Sequence, residues 1–119
     1  MRDHQKLIAF KLADEIVILI YQVTKKFPKE EIYGLTAQIR RAAVSVPSNI
    51  VEGCSRKSQK DYLRFMEIAY GSLKELQYQC KLSINLEFVT PSEFETSLRK
   101  CHEASKVLGS LIISLRKKM

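Results

Sequence analysis

The chain is poor in the residues that break helices: 119 residues hold four glycines and three prolines, so long structureless loops are excluded. Its three cysteines, Cys54, Cys80 and Cys101, are an odd set without CxxC or CxxH spacing. That argues against a disulfide framework and against a zinc site, and leaves reduced thiols as the reading. His4 and His102 are the only histidines, and no ExxH pair occurs on any helical stretch, which excludes a di-iron site of the helix-bundle kind. His102 follows Cys101, but helical neighbours point about 100° apart and cannot chelate one metal together. Glycine-rich phosphate loops and nucleophile-elbow patterns are missing as well. No catalytic residues, metal ligands or cofactor therefore emerge, and a non-enzyme is expected. The longest apolar run, IVILIY, falls far short of the ~20 residues that span a bilayer. Lys11, Asp14 and Glu15 interrupt the N-terminal apolar region before it reaches signal-peptide length, so a cytoplasmic protein without membrane contact is expected.

What is present is helical periodicity from end to end. The formal charge is +7 and the pI near 9.4, a balance that permits anionic partners and also keeps a protein soluble. The length fits one domain. Ala9, Ala13, Ile16, Ile20, Val23 and Phe27 step four and three apart, giving a first helix over 2–26. Leu12, Val17, Ile18 and Leu19 leave little of its middle polar, a surplus of apolar surface that argues for subunit contacts. Phe27-Pro28 ends it, because a residue before proline is pushed out of the α region. In the link that follows, Tyr33 is expected to pack against the helices.

A second helix over 34–53 carries the most unusual composition. Leu35, Ile39, Ala42, Ala43, Val46 and Ile50 make its core stripe, and Pro47 should kink it without stopping it. Opposite run Gln38, Arg41, Ser45, Ser48 and Glu52, with Asn49 at the margin, while Val44 and Val51 form a third, apolar edge. Small hydroxyls and amides in place of the usual Lys and Glu read as a polar seam against another surface. Arg41 and Glu52 lie 11 residues apart, ~16 Å along a helix, so Glu52 is expected to meet Arg41 of a neighbouring copy. Ser58 and Asp61 start a third helix over 59–86, with Tyr62, Met66, Ala69, Leu73, Leu76 and Cys80 as its seam. Gly71 falls mid-helix, where close approach of a neighbouring helix is the expected compensation. Thr90-Pro91-Ser92-Glu93 opens a fourth helix over 91–117, whose seam is Phe94, Leu98, Cys101, Ser105, Leu108, Ile112 and Leu115. Four helices with links of roughly 4 to 8 residues and no strand pattern predict an all-α, antiparallel up-down-up-down bundle.

In that topology the chain termini and the second link share one end. Arg2, Lys6, Arg56, Lys57, Lys60, Arg116, Lys117 and Lys118 would gather there as a basic end able to contact phosphates. Lys25, Lys26 and Lys29 cluster at the opposite end. The basic segments lack the aromatic interleaving that reads unpaired bases, so weak sequence specificity is expected.

The run FPKEEIYGLTAQIRRAAVSVPSNIVEG, followed by SQKDYLRFMEIAYGSLKEL, resembles the small bacterial four-helix-bundle proteins first noted as products of intervening sequences in large-subunit ribosomal RNA genes. The likeness covers nearly the whole chain and is densest from Phe27 to Leu76. It implies a ring-like homopentamer of such bundles. A related branch serves as the accessory protein of diversity-generating retroelements, which implies RNA or DNA and a reverse transcriptase, or another nucleic-acid enzyme, as partners. The resulting expectation is a non-catalytic homo-oligomeric adaptor with a basic surface. The competing one is a purely structural or protein-interaction module without a nucleic-acid role.

Overall fold

Local capping chemistry sets where three of the four helices begin. The computed structural model describes residues 2–119, and among them four α-helices and three short 3-10 turns form, with no strand. Helix α1 spans Ile8–Thr24, α2 Leu35–Cys54, α3 Gln59–Asn85 and α4 Glu95–Lys117. The Glu31 carboxylate accepts from the Leu35 N–H at 3.0 Å and so opens α2. Ser58 does the same for α3, its hydroxyl oxygen accepting from the Asp61 N–H at 3.1 Å. Before α4, the Glu93 carboxylate accepts from both the N–H and the hydroxyl of Thr90, at 2.9 and 3.1 Å. A 3-10 turn, Pro91–Phe94, then leads into α4.

Two boundaries depart from the sequence reading. The first helix does not begin at residue 2. Asp3 and Leu7 have extended backbones and bracket a single 3-10 turn, His4–Lys6, before α1 starts at Ile8. Asp3 caps that turn, its carboxylate accepting from the Gln5 N–H at 3.0 Å, and Arg2 before it is held against the link between α2 and α3. At the other end of the chain the fourth helix starts four residues late, because Pro91–Phe94 closes as the tighter turn.

Helix α2 runs unbroken through Pro47, which is buried. The missing N–H costs one backbone bond, while the core stripe of Leu35, Ile39, Ala42, Ala43, Val46 and Ile50 stays in phase and is wholly buried. Each large side chain so buried contributes about 1.5–3 kcal/mol, which outweighs one lost bond several times over. Ile16, Ile20, Met66, Leu73, Leu76, Phe94 and Leu108 complete the centre. Helix α2 packs on α1 and α3, and α4 closes the circuit by touching both α3 and α1. The globule measures 45 × 23 × 20 Å. No described helix is long and apolar enough to cross a membrane.

The two mid-chain glycines differ in purpose. A Cβ at Gly53 would lie 2.7 Å from Met66 Cε and 2.8 Å from Phe65 Cβ, so α2 and α3 meet at a point where only glycine fits. At Gly71 a Cβ would meet nothing within 4 Å among the described residues, and the residue is exposed. The close helix approach expected at Gly71 is found at Gly53 instead. Tyr33 likewise does not pack on the helices; it is 95% exposed at the end of the α1–α2 link. Three backbone hydrogen bonds, Glu31 N–H to Pro28 O, Ile32 N–H to Lys29 O and Gly34 N–H to Glu31 O, shape that link without the Tyr33 side chain.

Candidate nucleic-acid interface

The extended N-terminal segment delivers Arg2 to the α2–α3 link. Its Nη1 donates to the Arg56 carbonyl at 2.6 Å and its Nη2 to Gln59 Oε1 at 3.1 Å. The guanidinium carbon also lies 4.0 Å from the centroid of the Tyr62 ring, a cation–π contact that fixes the plane of the group. Below it sits Cys54. Burial pushes the Cys54 thiol up from its ordinary value, and the nearby Arg2 only partly offsets this. Burial also raises Tyr62, with Cys54 adding to the shift. Both groups are therefore neutral near pH 7, and the charge here belongs to the cations.

Arg56 and Lys57 follow in the link. Arg56 Nη2 pairs with Glu52 at 2.9 Å one turn back, and its guanidinium sits 5.0 Å from the Phe65 ring centroid. Lys57 is exposed and without a side-chain partner among the described residues. Arg2, Cys54, Ser55, Arg56 and Lys57 together line an open cleft of about 640 Å³. Lys60 is exposed in the first turn of α3 beside it. The remaining basic residues read from the sequence stand apart from this cleft. Lys6 is exposed on the 3-10 turn, Arg116 is tied to Glu67 of α3, and Lys117 and Lys118 are exposed at the end of α4. The meeting of Arg2, Arg56 and Lys57 follows the expected topology, but the part of Tyr62 was not legible in the sequence: it reads there as one more core position, and no local signal joins it to Arg2.

The polar seam of α2 divides in two. Gln38, Arg41, Ser48 and Glu52 are exposed, as are Val44 and Val51, while Ser45 and Asn49 are half-buried. Ser45 shares a 2.8 Å hydroxyl–hydroxyl hydrogen bond with Ser72 of α3, and Asn49 Nδ2 donates to the Ser45 carbonyl at 2.7 Å. Glu52 pairs with Arg56 of the same chain at 2.9 Å and stays exposed. Arg41 has no hydrogen-bond or ion-pair partner among the described residues. It separates a polar cleft of about 410 Å³, lined also by Gln38, Ser45, Ser72 and Glu75, from a shallow groove holding Tyr21, Ile32, Ala37 and Val44. Arg40, next to it, is spent within the chain: Nε donates to the buried Thr24 hydroxyl at 2.8 Å, and the guanidinium stacks 4.6 Å from the Tyr21 ring.

The family described as 23S rRNA-intervening sequence protein matches residues 5–110. The chain belongs to this family. Arg56, Lys57 and Lys60 fall inside the matched range, whereas Arg2 and the Arg116–Lys118 run fall outside it. A crystal structure at 1.70 Å resolution of a protein with unknown function from the S23 ribosomal protein family, from Bacteroides thetaiotaomicron, is similar to the chain. The TM-score is 0.81 at 24% identity, covering 88% of this chain and 98% of that one. At that identity the likeness is one of fold. No curated protein matches. The four-helix, all-α fold of this family member is thus found in a solved relative, while the chemistry of the Arg2 cleft has to be argued from its own residues.

Proposed function

We propose that this family member is a non-catalytic, cytoplasmic, homo-oligomeric adaptor whose basic end engages the phosphates of RNA or DNA with little sequence preference. The observation that carries the reading is the convergence of Arg2, Arg56 and Lys57 on one open cleft, with Lys60 beside it and no carboxylate in its lining. In this reading the helices run up-down-up-down, which fits the contacts from Arg2 to Arg56, from Lys26 to Glu93 and from Arg116 to Glu67. Copies assemble through the α1–α2 side, where Tyr21 and Val44 are exposed beside Arg41, which has no partner among the described residues, and Ile18 and Val51 are exposed on the same two helices. A contact between two different patches repeated by rotation closes into a ring, and the family resemblance favours five copies. A ring multiplies the basic end, and phosphate contacts reinforce one another as their number grows. A neutral buried thiol and fixed cations bind anions without offering a nucleophile or base, which suits an adaptor for a nucleic-acid enzyme such as a reverse transcriptase.

Fluorescence anisotropy with unrelated RNA and DNA duplexes tests this. Micromolar binding at low salt that weakens at moderate salt, and differs little between sequences, is the expected result. Absence of any salt-sensitive binding would remove the nucleic-acid role. The second reading, a protein-interaction module, would then stand on the exposed Tyr33 and Ile32 at the other end of the molecule.

A further inference from the structure

The shape of the basic site is more specific than its charge. Nucleic acid presents phosphate in two chemically different forms. An internal phosphodiester carries one negative charge, is flanked by sugars on both sides, and lies along a convex backbone. A terminal phosphate monoester carries about −1.5 to −2 at pH 7, offers three acceptor oxygens and projects beyond the last sugar. Flat arrays of lysines suit the first form. The second can enter a recess.

Three features of the Arg2 site belong to a recess. Its cleft of about 640 Å³ opens to solvent between the N-terminal segment and the α2–α3 link, with room for a projecting phosphate group. Its lining holds three cations, a serine and a neutral cysteine. Two acids border it: Glu52 pairs with Arg56 at 2.9 Å, and Asp3 accepts from the Gln5 N–H at 3.0 Å, which leaves Arg2 and Lys57 as the cations of the lining without a carboxylate partner among the described residues. Arg2 is also preorganised. Two hydrogen bonds and the Tyr62 ring hold its guanidinium, yet three of its five N–H groups have no acceptor among the described residues. A fixed guanidinium loses little side-chain freedom when an anion arrives. Lys57, unpaired and exposed, supplies a mobile second charge at the rim.

We infer that the Arg2–Arg56–Lys57 cleft seats the terminal phosphate monoester of a nucleic-acid strand, so that the protein engages ends in preference to the interior of the polymer. The inference rests on the nucleic-acid reading proposed above and narrows it to one chemical group.

The test compares four short labelled oligonucleotides of one sequence in anisotropy at low salt: 5′-phosphate, 3′-phosphate, both ends hydroxyl, and a closed circle. One more charge-assisted hydrogen bond corresponds to about a tenfold change in affinity. The expected result is about tenfold tighter binding of a phosphorylated strand than of the hydroxyl-ended strand or the circle. The 5′ and 3′ arms report which end is seated. The Arg56→Ala/Lys57→Ala double variant should lose the preference. Lys29→Ala, an exposed change on the α1–α2 link, should keep it. Equal binding of phosphorylated, hydroxyl-ended and circular strands overturns end recognition while leaving the basic-end reading intact. A preference that survives in the double variant also overturns it, because the site is then elsewhere. Failure of every oligonucleotide to bind removes both this inference and the reading beneath it.

Discussion

Replacing Gly53 by alanine probes the contact that holds α2 on α3 and, through Tyr62 and Cys54, shapes the floor of the basic cleft. Alanine in a helix is worth about 1 kcal/mol over glycine, so propensity alone predicts a more stable protein. Packing predicts the reverse. The new methyl would sit 2.7 Å from Met66 Cε and 2.8 Å from Phe65 Cβ, with Tyr62 Cδ1 at 3.5 Å. Met66 Cε is the end of a flexible chain and can move. Phe65 Cβ is fixed to its backbone, so α3 itself must shift. Overpacking of this kind costs about 1–3 kcal/mol, and an immovable neighbour puts Gly53 in the upper half of that range. The net is a loss of about 1–2 kcal/mol. With an unfolding entropy of ~2.1 cal/mol/K per residue, that lowers Tm by about 4–8 °C. Gly71→Ala is the internal control: nothing lies within 4 Å of its new methyl, so the propensity gain of about 1 kcal/mol should appear as a rise of about 4 °C. Thermal and urea unfolding at one fixed protein concentration measures both, because association shifts apparent stability. A Gly53→Ala protein as stable as wild type would refute the close approach of α2 and α3.

Further outcomes follow from other sites. Arg41→Ala should weaken assembly in light scattering more than Lys74→Ala, since Arg41 on α2 has no partner among the described residues while Lys74 lies 5.3 Å over the Tyr70 ring of its own helix; a monomeric wild type at micromolar concentration would remove the interface altogether. Glu93 is lowered from an ordinary 4.5 to about 2, first by the Lys26 ammonium and then by the N–H and hydroxyl of Thr90. Its stabilising effect is thus complete above about pH 4.5 and is lost as pH falls through about 2. The stability gap between wild type and Glu93→Gln in urea titrations should close over that acid window, and a gap constant from pH 6 to pH 2 would contradict the pairing. Glu87 caps the end of α3 at φ 62°, with the Phe88 N–H bonded to Ser83 O and its own N–H to Ile84 O. Glycine accepts that left-handed geometry without a Cβ penalty, so Glu87→Gly should raise stability by about 1 kcal/mol, and a loss on urea unfolding would count against it.

The helices were legible where a side chain answers to its own periodicity. The stripes Leu35–Ile50 on α2 and Tyr62–Cys80 on α3 are buried throughout, and so is the α4 seam apart from the half-buried Leu98. On α1 the pattern missed in both directions. Leu12, counted as surplus, is buried, while Val23, counted as core, is only partly covered, because α1 packs between α2 and α4 and its buried arc is wider than one seam. Ile18, at 55% exposure, is the true surplus. What sequence could not supply were pairings across the fold. Arg2 finds Tyr62 sixty positions away, Ser45 finds Ser72, and Arg40 finds Thr24 and Tyr21. The Ser45 and Arg40 pairings follow from how two helices are rotated against each other, which periodicity fixes only to within a residue, and the Arg2 pairing from the non-helical path of the N-terminal segment. Gly71 and Tyr33 failed for a related reason: a residue type shows what a position tolerates, and the neighbour decides whether anything is there.

The most direct test of the basic end is the slope of log affinity against log salt for a DNA duplex, wild type against an Arg56→Ala/Lys57→Ala/Lys60→Ala variant. Each phosphate contact contributes about −0.9 to that slope on B-DNA. A variant whose slope is shallower by about 2 to 3, with similar losses on unrelated sequences, is the predicted result. An unchanged slope would mean that phosphate is engaged elsewhere, and the cleft at the α2–α3 link would no longer account for binding.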